Sequence, residues 1–190
     1  MTAADTPPED DPRPDGLRPP ASLVLVNTGD GKGKSSAAFG VALRARARGW
    51  PVAVIQFLKS ENWVTGEQLM AEQLGIDFWS LGEGFTWDSD DLEKDEAVAR
   101  EAWLQGQALV NSGDYRLVVF DEITYPLNWG WIDADDVATT ITNRPERVSL
   151  VLTGRDAPDW LIDLADTVTV MENRKHAYEQ GIAAMKGIDF

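Results

Sequence analysis

Cysteine is absent from the chain, which excludes disulfides, thiolate catalysis and cysteine-held metal centres and fits a cytoplasmic location. Histidine occurs once, at His176 in R-K-H-A-Y-E. One imidazole without companion ligands reads as structural or exposed rather than catalytic. No apolar run approaches the ~18 residues of a membrane span, and no charged-then-apolar leader opens the chain. Basic residues are scarce beside acidic ones, 17 Lys and Arg against 32 Asp and Glu, for a net charge of −15. So acidic a surface repels polyanions, and neither nucleic acid nor an anionic membrane is expected as a partner.

What is there suffices for one domain: 190 residues, 43% of them hydrophobic. Residues 1–21 are set apart by composition. Pro7, Pro8, Pro12, Pro14, Pro19 and Pro20 stand among acidic residues, a mixture that cannot bury a core and reads as a disordered tail. The folded domain is expected over 22–190.

Its first element announces the chemistry. The β-branched run Leu23-Val24-Leu25-Val26 leads into T-G-D-G-K-G-K-S-S at Thr28–Ser36, and a helix-forming stretch follows from Ala37 to Arg48. Strand, glycine-rich turn, lysine, hydroxyl and helix form the order of a P-loop. Gly29, Gly31 and Gly33 let the backbone turn back and aim N–H groups at one point. The helix N-terminus adds partial positive charge there. Lys34 brings a cation for phosphate oxygens, and the Ser35 hydroxyl suits a Mg²⁺ that bridges them. The loop is a variant, because Thr28 stands where the usual pattern begins with glycine. Crowding Lys32 and Lys34 among glycines also argues for an anion between them.

Downstream, apolar runs alternate with helical ones. Strands are expected at 52–57, 76–80, 116–120, 148–152 and 167–171. Helices are expected at 67–74, from Asp88 or Ser89 to about Val110, from Asp133, and over 160–165 after Pro158. This alternation predicts an α/β fold with a mostly parallel sheet flanked by helices, of the P-loop NTPase kind. Such sheets bind ligands at the carboxyl ends of their strands, where the loop, Lys59, Asp121-Glu122 and Thr153-Gly154-Arg155 all fall. L-V-V-F-D-E at 117–122 has the form of a Walker B element, so either Asp121 or Glu122 is a candidate Mg²⁺ ligand. Arg155 and Arg44 are candidate phosphate contacts, each balanced by a reading as a plain surface arginine. Phe85 and Trp87, placed after two glycines in L-G-E-G-F-T-W-D, are either core aromatics or a platform for a large flat ligand.

In order along the chain, T-G-D-G-K-G-K-S-S-A-A-F-G, V-I-Q-F-L-K, G-F-T-W, V-V-F-D-E-I-T-Y, L-T-G-R and H-A-Y-E-Q-G-I-A-A-M-K-G-I-D-F resemble the ATP:corrinoid adenosyltransferases of the CobA/CobO/BtuR type. The likeness spans 22–190, and G-F-T-W and G-I-D-F are its most specific parts. That family commonly has Asn or Glu at the position of Asp30 and Thr at that of Ser35. The resemblance implies that cob(II) is reduced to cob(I), that Co(I) attacks the 5′-carbon of ATP, and that triphosphate leaves. It implies ATP binding by Thr28, Gly29, Asp30, Gly31, Lys32, Gly33, Lys34, Ser35 and Ser36, with Arg44 and Arg155. It implies Mg²⁺ at Ser35, Glu122 and Asp121, with Lys34 steadying the leaving triphosphate. Phe85 and Trp87 would exclude the lower axial ligand of cobalt and thereby serve catalysis. A flavin-type electron donor and a homodimer are also implied. Two other classes use the same loop and acids: a phosphotransferase, which would release ADP, and a carrier that binds ATP and delivers a corrinoid without turning ATP over.

Overall fold

The computed structural model describes residues 13–59, 64–82 and 91–189. Phe85 and Trp87 lie outside the described residues, as do Asp88 and Ser89 and the first twelve residues of the tail. Residues 13–20 are exposed and outside any helix or strand.

Among the described residues six parallel strands form the sheet: β1 (Val24–Thr28), β2 (Val52–Phe57), β3 (Asp77–Leu81), β4 (Leu117–Asp121), β5 (Ser149–Thr153) and β6 (Thr167–Val170), in the spatial order β3-β2-β4-β5-β1-β6. The expected α/β fold is present. Strand β2 has the expected bounds, whereas β3, β4 and β5 each sit one residue further toward the carboxyl end than expected.

Parallel strands need both faces covered, and two apolar clusters cover them. On one face, α1 (Lys34–Ala47) lays Ala38, Ala42 and Ala45 against Val54, Leu117, Val119 and Val151, joined by α2 (Gly66–Leu74) through Ala71. Alanines let that helix lie close to the strands. The other face carries α3 (Leu92–Ser112), the short α4 (Thr124–Asn128), α5 (Ala134–Asn143) and α6 (Asp159–Leu164). There Gly106 leaves room for the Phe120 ring, which also packs on Trp103 at 5.5 Å between centroids. The Trp103 indole N–H is satisfied by Asp136 Oδ2 at 2.6 Å, so the aromatic is buried without an orphaned donor.

Local chemistry sets the helix ends. Thr65 caps α2 through its hydroxyl, Asp91 caps α3, and Asp133 caps α5 by accepting from Asp135 and Asp136 N–H. Helix α3 thus begins at Leu92, after Asp91 rather than after Asp88 or Ser89. Helix α4 was not expected from sequence. Its Pro126 falls in the first turn, where a missing N–H costs little. Past β6 the chain forms a short 3₁₀ helix (Ala177–Gln180), with His176 Nδ1 accepting from Tyr178 N–H.

Candidate active site

Strand β1 ends in the glycine-rich turn, and α1 begins at Lys34 with Gly33 in the left-handed region at φ 112°. The turn is wedged against the chain leaving β6. Gly31 N–H donates to Met171 O at 2.6 Å, and a Cβ at Gly31 would meet the Glu172 carbonyl at 2.6 Å. That glycine is required for close backbone approach. One N–H of the loop is therefore spent on the fold rather than aimed at a ligand, contrary to expectation.

The loop also answers the repulsion between its lysines without an anion. Lys34 Nζ donates to Gly29 O and Gly31 O, both at 2.7 Å. Lys32 Nζ pairs with Asp189 at 2.5 Å, and that contact holds the Asp189 carboxyl below its usual range. Burial, and then the Arg155 guanidinium, lower the Lys34 pKa from its ordinary value.

A polar cavity of about 240 Å³ opens in front of the loop, lined by Lys32–Ser36, Lys59, Thr65, Glu67, Glu122, Tyr125, Arg155 and Asp189. These residues come from the carboxyl ends of β1, β2, β4 and β5, from the start of α2 and from the last described stretch of chain, the strand-end side on which such sheets bind ligands. Lys59 Nζ stands 4.0 Å from Glu122 Oε1. Arg155 Nη1 stands 3.6 Å from Asp30 Oδ1, while Thr124 Oγ1 anchors the Arg155 carbonyl at 2.6 Å.

The two acids after β4 part company. Glu122 lines the cavity, and its pKa rises to about 7 through burial first and then the neighbouring Asp121 charge. Asp121 is 0% exposed, and both its oxygens are engaged: Oδ1 accepts from Thr153 Oγ1 at 2.7 Å and Oδ2 from Gln56 Nε2 at 2.8 Å. Asp121 is thus occupied by the sheet and does not line the cavity, so of the two acids Glu122 is the one placed to meet a cation there. Ser35 lines the same cavity. A hydroxyl and a carboxylate held short of water make a hard-oxygen donor set that fits Mg²⁺. Among the described residues no cluster of three or more His, Cys, Asp or Glu forms a metal cage, and Mg²⁺ does not require one when substrate phosphates share its coordination.

Other expected contacts are relocated. Arg44 lies on the exposed last turn of α1, about 15 Å from Lys34 by helix rise, and does not line the cavity. The Thr28 hydroxyl is buried and accepts from Ala157 N–H at 3.0 Å, which ties β1 to the loop before α6. Gly29, Asp30 and Gly31 are not among the lining residues. Sequence reasoning passed over Tyr125, which lines the cavity and whose pKa is raised by burial and by Glu122, and Asp189 at the far end of the chain. It also passed over Gln56, although a glutamine inside an otherwise apolar buried strand is a signal that polar groups meet there. A second cavity of about 350 Å³ runs between α1 and α2, lined by Phe39, Leu43, Met70, Leu74, Ile76 and Ile188. It meets the polar one at Glu67.

Known proteins complete the description. The profile of the family described as ATP:corrinoid adenosyltransferase BtuR/CobO/CobP matches residues 21–190. The corrinoid adenosyltransferase of a Sinorhizobium species is 42% identical over 171 residues, covering 88% of this chain and 80% of that protein. That of Pseudomonas aeruginosa is 41% identical over 170 residues, covering 88% and 83%. That of Escherichia coli K12 is 36% identical over 168 residues, covering 88% and 85%.

Proposed function

The chain belongs to the ATP:corrinoid adenosyltransferase family BtuR/CobO/CobP, and from that premise we propose how its cavity does the work. The protein is an adenosyltransferase that moves the adenosyl group of ATP to a corrinoid. In the reading favoured here, the triphosphate lies in the polar cavity while the ribose faces outward, so that the cobalt, as Co(I), attacks C5′. The Co–C bond forms, the C5′–O bond breaks, and triphosphate leaves with the electron pair.

One observation carries this reading. The cavity gathers four cationic side chains, Lys32, Lys34, Lys59 and Arg155, beside the Ser35 and Ser36 hydroxyls, and none of its lining residues is a histidine or a thiol. Such a site stabilises charge leaving on phosphate oxygens, and no histidine stands among its described lining residues to activate a hydroxyl, which suits a reaction whose nucleophile is the metal of a substrate. Lys34 exchanges its two loop carbonyls for phosphate oxygens. Arg155, steered by Asp30 and Thr124, meets the triphosphate from the β5 side. Ser35 and Glu122 would hold Mg²⁺, which would neutralise negative charge on the departing triphosphate. Phe85 and Trp87 are assigned to the corrinoid, on the strength of the family resemblance of G-F-T-W.

Membership of the family also supports a flavin-type electron donor, pairing of two copies and a cytoplasmic site of action. Among the described residues no helix is long and apolar enough to cross a membrane. The domain is assigned to 22–190 and the tail to 1–21, supported by the match beginning at residue 21 and the first strand at Val24.

The test is direct. Protein, ATP, Mg²⁺ and chemically reduced cobalamin are incubated, and the absorption spectrum and phosphate products are followed. Adenosylcobalamin with stoichiometric triphosphate is the expected result. Release of ADP would replace this reading with phosphoryl transfer, and the absence of any ATP turnover would replace it with a carrier role.

A further inference from the structure

A single file of buried polar groups crosses the sheet beneath the cavity. The Ser80 hydroxyl on β3 donates to Gln56 Oε1 on β2 at 3.1 Å. Gln56 Nε2 donates to Asp121 Oδ2 on β4 at 2.8 Å. Thr153 Oγ1 on β5 donates to Asp121 Oδ1 at 2.7 Å and accepts from the backbone N–H of Glu122 at 2.9 Å. Ser80, Gln56, Asp121 and Thr153 are 5%, 1%, 0% and 0% exposed, so all four are shielded from bulk solvent.

The direction of every bond follows from the chemistry. The Asp121 carboxylate can only accept, so the Gln56 amide must turn its NH₂ toward it and its oxygen toward Ser80. The single hydroxyl hydrogen of Thr153 must likewise point at Asp121. That leaves the Thr153 lone pairs facing the Glu122 N–H. Glu122 needs this partner. Its backbone sits at φ 66°, a left-handed conformation that a residue with a Cβ adopts only where its surroundings hold it. The twist turns the Glu122 side chain toward the cavity directly after Asp121 has turned inward.

We propose that Thr153 is a positioning residue for Glu122: oriented by buried Asp121, its hydroxyl holds the strained Glu122 backbone so that the carboxylate meets the Mg²⁺ of bound Mg·ATP. The proposal rests on the reading of Glu122 as the metal-binding acid. Asp121 acts through Thr153 rather than on the metal. Thr153 is fully buried and does not line the cavity.

The experiment measures equilibrium binding of ATP by calorimetry, without corrinoid, in excess Mg²⁺ and in EDTA. The readout is the ratio of the two affinities, with thermal melting as the control for folding. Thr153→Val keeps the side-chain shape and removes both bonds. It is expected to lower the ratio about tenfold by weakening only the Mg²⁺-dependent part, with ATP affinity in EDTA unchanged. Thr153→Ser, which restores the hydroxyl, is expected to stay within about twofold of the parent. Glu122→Gln serves as the reference for loss of the metal ligand. If Glu122→Gln lowers the ratio and Thr153→Val does not, the positioning role is overturned while the metal reading stands. If Glu122→Gln leaves the ratio untouched, the metal reading fails and takes the proposal with it. Should Thr153→Val not fold, Gln56→Leu loosens Asp121 from its far side. A ratio lowered about threefold would then support the proposal, and an unchanged ratio would overturn it.

Discussion

Replacing Glu122 by Gln removes a charge that the fold holds unfavourably, and the consequence can be worked out before any catalysis is measured. The folded state raises the Glu122 pKa from its ordinary 4.5 to about 7, chiefly by burial and then by Asp121. The folded protein therefore holds this proton more tightly than the unfolded chain does. Below about pH 4.5 the group is neutral in both states and carries no penalty. As pH rises from 4.5 through 7, the unfolded chain ionises first and stability falls. Above 7 both states are charged and the penalty is complete, with an upper limit of about 3 kcal/mol. The side chain keeps 23% of its surface in water, so about 1–2 kcal/mol is the expected size after partial solvation. Glu122→Gln should then stabilise the metal-free protein at pH 8 by that amount, about 3–6 °C in melting temperature for a domain of this size, and by much less at pH 5. Urea or thermal denaturation in EDTA at the two pH values measures it. A variant no more stable than the parent at pH 8 would refute the reasoning. Mg²⁺ with ATP should reverse the order, because the bound cation rewards the carboxylate that folding alone penalises.

Three further outcomes are expected. Lys34→Ala should lower adenosyl transfer at least a hundredfold while the melting temperature stays close to that of the parent, since the lysine bonds only the loop's own carbonyls; near-parental turnover, measured spectroscopically, would remove Lys34 from the mechanism. Phe85→Ala and Trp87→Ala should impair reaction starting from cob(II)alamin with a mild reductant far more than reaction with ready-made cob(I)alamin, and should erase the four-coordinate cobalt signal in electron paramagnetic resonance. Equal loss with both reductants would confine the pair to shaping the pocket. Gly106→Ala should destabilise the fold by about 1–3 kcal/mol in urea denaturation, because the added methyl meets the Phe120 ring on the closely packed face of α3; an unchanged midpoint would show that the ring can withdraw at little cost.

The apolar interior was readable because a parallel sheet covered on both faces writes its strands as short unbroken hydrophobic runs. Val52–Phe57 shows this best, although even there Gln56 interrupts the pattern. The systematic shift of β4 and β5 has a physical cause. Asp121 and Thr153 look like the first residues of loops, yet each is 0% exposed and the two are bonded to one another, so the strands run on until that pairing is complete. Periodicity marks where apolar side chains stop, whereas the ladder stops where buried polar groups stop finding partners. The same limit hid the division of labour at Asp121-Glu122. Adjacent acids at a strand end are alike in sequence, and only the positive φ of Glu122 and the partners on neighbouring strands send one inward and the other out. For Arg44, left open between phosphate contact and surface arginine, the sequence named the helix but not the end of it that meets the cavity.

The glycine-rich turn before α1 hangs from the rim of the sheet. Gly31 bonds to Met171 just beyond β6, and β6 is an outermost strand whose residues are mostly exposed. Rim strands fray more readily than central ones. Each time the end of β6 lifts away, Gly31 loses its carbonyl partner, and the glycine-rich turn loses its rest. In hydrogen exchange the Gly31 amide should therefore follow the protection of Thr167–Val170 rather than that of α1. Substitutions along this rim, remote from any phosphate, would surface as faster nucleotide release.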